Sequence, residues 1–166
     1  MYTNRTFKIS LIDDDPQMLV MLKDFFIEKY PLSEITSFAT GEESLTKIII
    51  EPDLIVLDYH LDSFNSSAMN GLQILKKLKE RFSNVPVIFL SGQEKTEIAA
   101  NTMKYGAWDY IVKNESAFHR LENNINNILG QVDLKKNLGT QKFFNWLLVI
   151  IAIALIVGMC VMRLGK

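Results

Sequence analysis

Five times between residues 7 and 130, a short apolar run of β-forming residues is followed by a stretch whose apolar residues recur at three- and four-residue spacing. FKISLI (Phe7–Ile12) leads into residues 16–29, where Met18, Leu19, Leu22, Phe25 and Phe26 fall on one helical face. EITSF (Glu34–Phe38) leads into a helix opened near Gly41, and LIVLD (Leu54–Asp58) into one from about Gly71 to Arg81. VIFLS (Val87–Ser91) is followed by a helix across Glu94 to Lys104, and DYIV (Asp109–Val112) by one from Ser116 to about Leu129. Runs as continuously apolar as LIVL and VIFL suit strands buried on both faces. Regular strand-helix alternation then calls for a parallel sheet covered by helices on both sides.

Right-handed crossovers leave few orders for such a sheet, and the expected fold is a doubly wound, five-stranded α/β domain with the flavodoxin-like order 2-1-3-4-5. That order makes strands one and three neighbours and opens a binding crevice outside their carboxyl ends. Strand one ends in Asp13-Asp14-Asp15-Pro16. Asp15 is accounted for as an N-cap ahead of a proline in the first helical turn. Asp13 and Asp14 have no such duty, and strand three delivers Asp58 beside them. Three clustered carboxylates repel one another unless a cation joins them, and oxygen ligands suit Mg²⁺. Any one of these acids alone reads as a solvated loop residue, so it is their juxtaposition that points to a site. Strand four ends at Ser91 and strand five at Lys113, a hydroxyl and an ammonium suited to hold phosphoryl oxygens opposite a metal. Taken singly, Ser91 reads as a helix cap and Lys113 as a solvated cation.

Residues 7 to about 130 resemble the receiver domain of two-component response regulators. The resemblance rests on Asp13 and Asp14 after the first strand, Asp58 after the third, Ser91 after the fourth and Lys113 after the fifth, with Tyr110 three positions before the lysine. It implies a phosphoryl-accepting protein rather than a separate enzyme, with Asp58 phosphorylated by a histidine kinase or a histidine phosphotransfer protein. It also implies Mg²⁺ held by Asp13, Asp14, Asp58 and the main-chain carbonyl of His60, with Lys113 and Ser91 binding the phosphoryl group. The resemblance further implies that Ser91 then moves toward that group and that Tyr110 turns inward behind it, changing the face formed by the fourth helix, fifth strand and fifth helix. Tyr110 has a competing reading as an ordinary aromatic on the sheet surface, and Tyr105, Trp108 and Phe118 belong either to that face or to the core. His60 and Gln93 lie two positions beyond Asp58 and Ser91, where receivers flank the path of an attacking water. Neither is an acid, so slow hydrolysis of the phosphorylated state is expected.

Three departures from the usual receiver pattern stand out. The lysine is normally followed by a proline, often cis. Here Asn114 follows Lys113, and because a cis bond without proline costs about 3 kcal/mol the peptide is either trans or strained. Where Met-Pro commonly follows the acceptor and a glycine arrives sooner, this chain has Leu61-Asp62 and reaches Gly71 only after thirteen residues, through SFNSSAMN. The longer loop beside the site is expected to act as a partial lid or a partner contact. Ser91 stands where threonine is more frequent and keeps the hydroxyl.

The C-terminal stretch has a different character. From Phe143 to Met162 twenty residues carry no charge, and a helix of that length spans about 30 Å, the thickness of a bilayer's hydrocarbon core. The expected organisation is a receiver over 1–130, a linker over 131–141, a transmembrane helix over 142–163 in contact with membrane lipid, and a tail over 164–166. The competing reading is a very apolar helix docked on the domain. The start, MYTNRTFKISLIDDDP, has too short an apolar run for a secretory signal. Lys135, Lys136 and Lys142 precede the span and Arg163 and Lys166 follow it, which favours a single-pass, tail-anchored protein with its receiver in the cytoplasm. Ala154 and Gly158, four apart, offer a small-xxx-small face for self-association of the span.

The linker QVDLKKNLGT is too short for an output domain, so output is expected through contact with an unidentified membrane or cytoplasmic partner. Lys and Arg total 18 against 19 for Asp and Glu, a net charge of −1 that does not suit nucleic-acid binding. One cysteine excludes an internal disulfide framework. Two alternatives are a receiver-shaped interaction module that is never phosphorylated and a hydrolase of the haloacid dehalogenase type. The Asp-x-Asp pair of the latter is met only incidentally by Asp13-Asp14-Asp15.

Overall fold

The computed structural model describes residues 6–61, 68–92 and 95–131, together with Trp146, Leu148 and Ile150. Strands β1 (Phe7–Ile12), β2 (Ser33–Phe38), β3 (Leu54–Asp58), β4 (Val87–Ser91) and β5 (Asp109–Val112) alternate with helices α1 (Pro16–Lys29), α2 (Gly41–Lys47), α3 (Gly71–Arg81) and α4 (Thr96–Lys104). Residues 117–131 are helical and follow β5 as α5. The sheet has the order β2-β1-β3-β4-β5 with every pairing parallel. This is the doubly wound order that the alternation predicts. β3 and β4 are buried along their whole length, as their uninterrupted apolar runs require.

Successive strand residues point to opposite faces, so the sheet fills two cores. Ile12, Ile55, Leu57, Val87, Phe89 and Tyr110 face Ile74, Leu75 and Leu78 of α3 in one cluster. On the other face, Leu90 shares a small depression with Met18 and Met21 of α1 and Phe118 and Leu121 of α5, and Phe25 packs on Phe118 at 5.3 Å between ring centroids. Phe118 therefore belongs to the α1 side of the molecule.

Residues 1–125 form one compact unit and 126–166 a second. Within the second, 126–131 are helical, and Trp146, Leu148 and Ile150 are helical and exposed. Among the described residues no helix is long and apolar enough to cross a membrane. Apart from those three positions, the expected span 142–163, with its Ala154 and Gly158, lies outside the described residues, as do the linker from 132 and the tail 164–166. Gln93 and loop positions 62–67 also lie outside them.

The long connection after β3 is closed at its base. The Gly71 N–H donates to the Tyr59 carbonyl at 2.9 Å, and the Met69 N–H donates to Glu42 Oε1 of α2 at 2.7 Å. Leu61 is buried in the core cluster and Met69 packs against it, so apolar contacts anchor both ends of the loop. Asn70 and Gln73 form a reciprocal capping box that starts α3 directly behind the neck. The neck also requires a glycine, because a Cβ on Gly71 would collide with the Asp58 carbonyl oxygen and lie 2.8 Å from Tyr59 Cα. Gly71→Ala is expected to cost about 2 kcal/mol or more by overpacking the backbone beside Asp58. Gly92→Ala, where an added Cβ would meet nothing within 4 Å, should change stability little. Urea denaturation of the two variants checks this, and equal effects would show that the close approach at Gly71 is not limiting.

Candidate functional site

The acids reach one edge because β1 and β3 are neighbours in register, with Ile12 paired to Leu57. One oxygen from each of Asp13, Asp14 and Asp58 lies within 4.8 Å of the others. Asp13 and Asp58 are almost fully buried, at 2% and 4% exposure, while Asp14 is half-buried. Asp15 caps α1 by accepting from the Gln17 N–H at 2.9 Å, as its place before Pro16 predicts. Its own N–H donates to Asp13 Oδ1 at 2.9 Å, so the cap residue also orients the first acid.

Lys113 enters from the end of β5 and spans the crevice. Its ammonium lies 2.9 Å from Asp13 Oδ2 and 3.0 Å from Asp58 Oδ1. The first is a hydrogen bond; the second is a charge contact without hydrogen-bond alignment. Asp58 Oδ2 accepts from the His60 N–H at 3.1 Å. The His60 ring packs edge-on against Tyr59 at 5.0 Å. The Lys113 backbone N–H donates to the Ser91 carbonyl at 2.7 Å, which fixes the start of the last loop against the end of β4. The Lys113–Asn114 peptide is trans, and Asn114 Oδ1 accepts from both the N–H and the hydroxyl of Ser116.

Burial pushes the Asp13 carboxyl above its usual value; the Lys113 hydrogen bond opposes that, and the Asp58 charge adds to it. Burial pulls Lys113 down, but the Asp58 charge and the bond to Asp13 outweigh it, so its pKa is raised. Asp14 Oδ2 is buried and has no hydrogen-bond partner. An ionised oxygen in that position is costly unless a cation meets it. The donor set consists of hard oxygens at close range, and it fits Mg²⁺.

Ser91 is fully buried, and its hydroxyl shares a hydrogen bond with the hydroxyl of Tyr110. Tyr110 points inward at 8% exposure and stacks on Phe89, which in turn contacts Tyr59 beside Asp58. It is a core aromatic, not one lying on the sheet surface. Tyr105 is exposed, and Lys76 sits 4.0 Å from the centre of its ring. Trp108 is half-buried and donates its indole N–H to Asn124 Oδ1 at 3.1 Å.

The structure adds residues that spacing does not reveal. Asn124 also donates to Asp109 Oδ2 at 2.8 Å, and Arg120 donates to the Tyr110 carbonyl at 3.3 Å, so α5 holds the backbone of β5 where Tyr110 sits. Glu42, 27 residues from its partner Met69, supports the loop neck. Side-chain reach between packed elements brings such pairs together, and no local pattern marks them.

The electrostatics predict a pH-dependent stability. A group whose pKa is raised by folding contributes stability below its unfolded pKa and loses it as pH rises through the folded value, so ionised Asp13 destabilises the metal-free fold near neutral pH. Asp13→Asn is therefore expected to stabilise the metal-free protein at pH 7 by about 1 kcal/mol. That advantage should shrink as pH falls through the raised Asp13 pKa. Thermal melts with a chelator across pH 4 to 8 check this, and an advantage that grows toward acid would contradict it.

Residues 9–126 match the response regulator receiver domain family. The chain is 32% identical over 117 residues to a probable C4-dicarboxylate response regulator of Halalkalibacterium halodurans, covering 69% of this chain and 48% of that protein. It is 35% identical over 113 residues to a protein-glutamate methylesterase/protein-glutamine glutaminase of Geobacillus kaustophilus, covering 66% of this chain and 30% of that protein. It thus spans less than half the length of either relative. The receiver domain of Francisella response regulator 1452 matches with a TM-score of 0.65 at 27% identity, covering 76% of this chain and 99% of that one. The family match, the strand order and the cluster of acids beneath Lys113 agree: the chain belongs to the response regulator receiver family.

Proposed function

We propose that this protein is a phosphoryl-accepting receiver of a two-component or phosphorelay system, phosphorylated on Asp58 in a Mg²⁺-dependent reaction. One observation carries the reading: a single ammonium, Lys113, is shared by Asp13 and Asp58 while Asp14 Oδ2 is left unmet in the same crevice. The site is short of positive charge, and a divalent cation together with a phosphoryl group would complete it. Asp13, Asp14, Asp58 and the His60 carbonyl are the residues to hold the cation, which when bound supplies charge neutralisation to the phosphoryl oxygens.

Phosphoryl transfer depends on position and charge more than on strong acids or bases. An Asp58 carboxylate oxygen forms a bond to phosphorus as the bond to the donor imidazole nitrogen breaks, and the imidazole leaves with a proton from solvent. The His60 N–H holds one Asp58 oxygen and Lys113 stands beside the other, so the carboxylate is oriented before the donor arrives. Lys113 is then placed to turn from Asp58 to a phosphoryl oxygen. Ser91 is the residue to meet another phosphoryl oxygen, and its bond to Tyr110 links the chemistry to the β5 face.

Output in this reading is protein–protein contact by a receiver held at the membrane through residues 142–163. The charge-free run from Phe143 to Met162 supports this, as does the exposure of Trp146 and Leu148, 64% and 63%, on helical positions within it. The partners are a histidine kinase or phosphotransfer protein, membrane lipid and an output protein of the membrane or cytoplasm.

Incubation of the protein with acetyl phosphate and Mg²⁺, followed by intact-mass measurement, should show one added phosphoryl group that is lost in Asp58→Asn and without Mg²⁺. An unmodified wild-type protein under conditions that label another receiver would favour the non-phosphorylated interaction module. The phosphorylated state should be long-lived, because His60 supplies no carboxylate base beside it. Decay within a few seconds, unchanged by replacing His60, would contradict this account.

A further inference from the structure

The parallel sheet divides the receiver's surface into two opposite ends. Strand carboxyl ends, with Asp13, Asp14 and Asp58, share one edge, and every turn that leads into a strand lies at the other. At that second edge the last turns of α1 to α4 each end in cations: Lys29, Lys47, the pair Lys79 and Arg81, and Lys104. The first helical turns at the site edge carry Glu42, Glu43 and Glu97 instead. The helix dipole accounts for cations in last turns. It does not account for what lies between them.

Ile27, Leu32, Ile49 and Ile50 are 60%, 69%, 79% and 67% exposed, the most exposed large apolar side chains among the described residues up to 131. All four sit at the cationic edge. Ile27 is in the last turn of α1, Leu32 in the turn to β2, and Ile49 and Ile50 in the turn from α2 to β3. Ile49 and Ile50 border a depression of about 250 Å³ together with Lys8, Lys47 and Glu34. Glu28, Glu34, Glu51, Asp53 and Glu80 at the same edge temper the charge, and Lys29 lies 3.6 Å from Glu122, so the cations act as a rim around an apolar centre and not as a net positive field.

We infer that this edge is a lipid-facing surface, with Leu32, Ile49 and Ile50 entering the headgroup boundary of an anionic bilayer and Lys29, Arg81 and Lys104 meeting its phosphate groups. The inference rests on the membrane-anchored reading above. Two features select a bilayer as the occupant. The twenty-residue charge-free run in the same chain keeps the receiver within reach of a membrane, which raises its effective concentration there. The site edge is strongly acidic and the opposite edge is of mixed charge, so an anionic surface repels the first and admits the second, leaving Asp58 open to a kinase or phosphotransfer partner.

The test uses full-length Cys160→Ser protein in vesicles of phosphatidylglycerol and phosphatidylcholine containing a lipid with a quencher at shallow depth. A polarity-sensitive fluorophore is attached to Ile49→Cys or, at the site edge, to Glu97→Cys; both positions are exposed, so labelling leaves the core intact. The label at 49 should shift to the blue and be quenched severalfold more than the label at 97, and the difference should fall when phosphatidylglycerol is omitted. Protein that survives carbonate extraction yet shows equal quenching at the two positions would overturn the lipid-facing edge and leave anchoring intact. Protein released by carbonate would overturn the anchored reading, and this inference with it.

Discussion

Lys113 joins the ends of three strands through one ammonium. It leaves β5 and meets Asp13 from β1 and Asp58 from β3, 100 residues away in sequence in the first case. A buried pair of this kind contributes little net stability, because taking the charges out of water offsets their attraction. Here two nearly buried carboxylates share one cation, with a third acid alongside. The apolar strands beneath hold the carboxylates together against their repulsion. The continuous burial of β3 and β4 is thus what the site stands on.

From this bridge a chain of contacts runs toward the β5 face. The Lys113 N–H is bound to the Ser91 carbonyl, the Ser91 hydroxyl to the Tyr110 hydroxyl, and the Tyr110 ring stacks on Phe89. Arg120 reaches back from α5 to the Tyr110 carbonyl, and Asn124 ties Trp108 to Asp109. Tyr110 is thus already turned inward behind Ser91, and a ligand shifts this chain of contacts only by as much as it interacts differently with two arrangements of it.

The sheet was legible because burial on both faces writes itself as uninterrupted apolar runs, as in LIVL and VIFL. β2 was readable but one residue short: its burial alternates along SEITSF, and Ser33 carries no apolar mark. α4 is described from Thr96, and Lys95 offers no side-chain cap, so the sequence holds no start signal there; Glu94 lies outside the described residues. The site acids and Lys113 could be placed together only once strand order was fixed, since nothing local relates position 13 to 113. The inward Tyr110, the Glu42 tie to Met69 and the Asn124 clamp depend on side-chain reach across elements, which periodicity does not encode.

The residue after Lys113 shows how the chain does without the proline that usually stands there. A proline fixes its own φ and constrains the residue before it. Asn114 instead closes a local turn, its side chain accepting from Ser116 and its carbonyl from the Ala117 N–H as α5 begins. Lys113 is positioned from the other side, by its N–H on the Ser91 carbonyl, and its ammonium is held by the two acids. The lysine is therefore constrained at backbone and at tip. A trans Lys113–Asn114 peptide is sufficient because hydrogen bonds on both sides of it do the work of the missing ring.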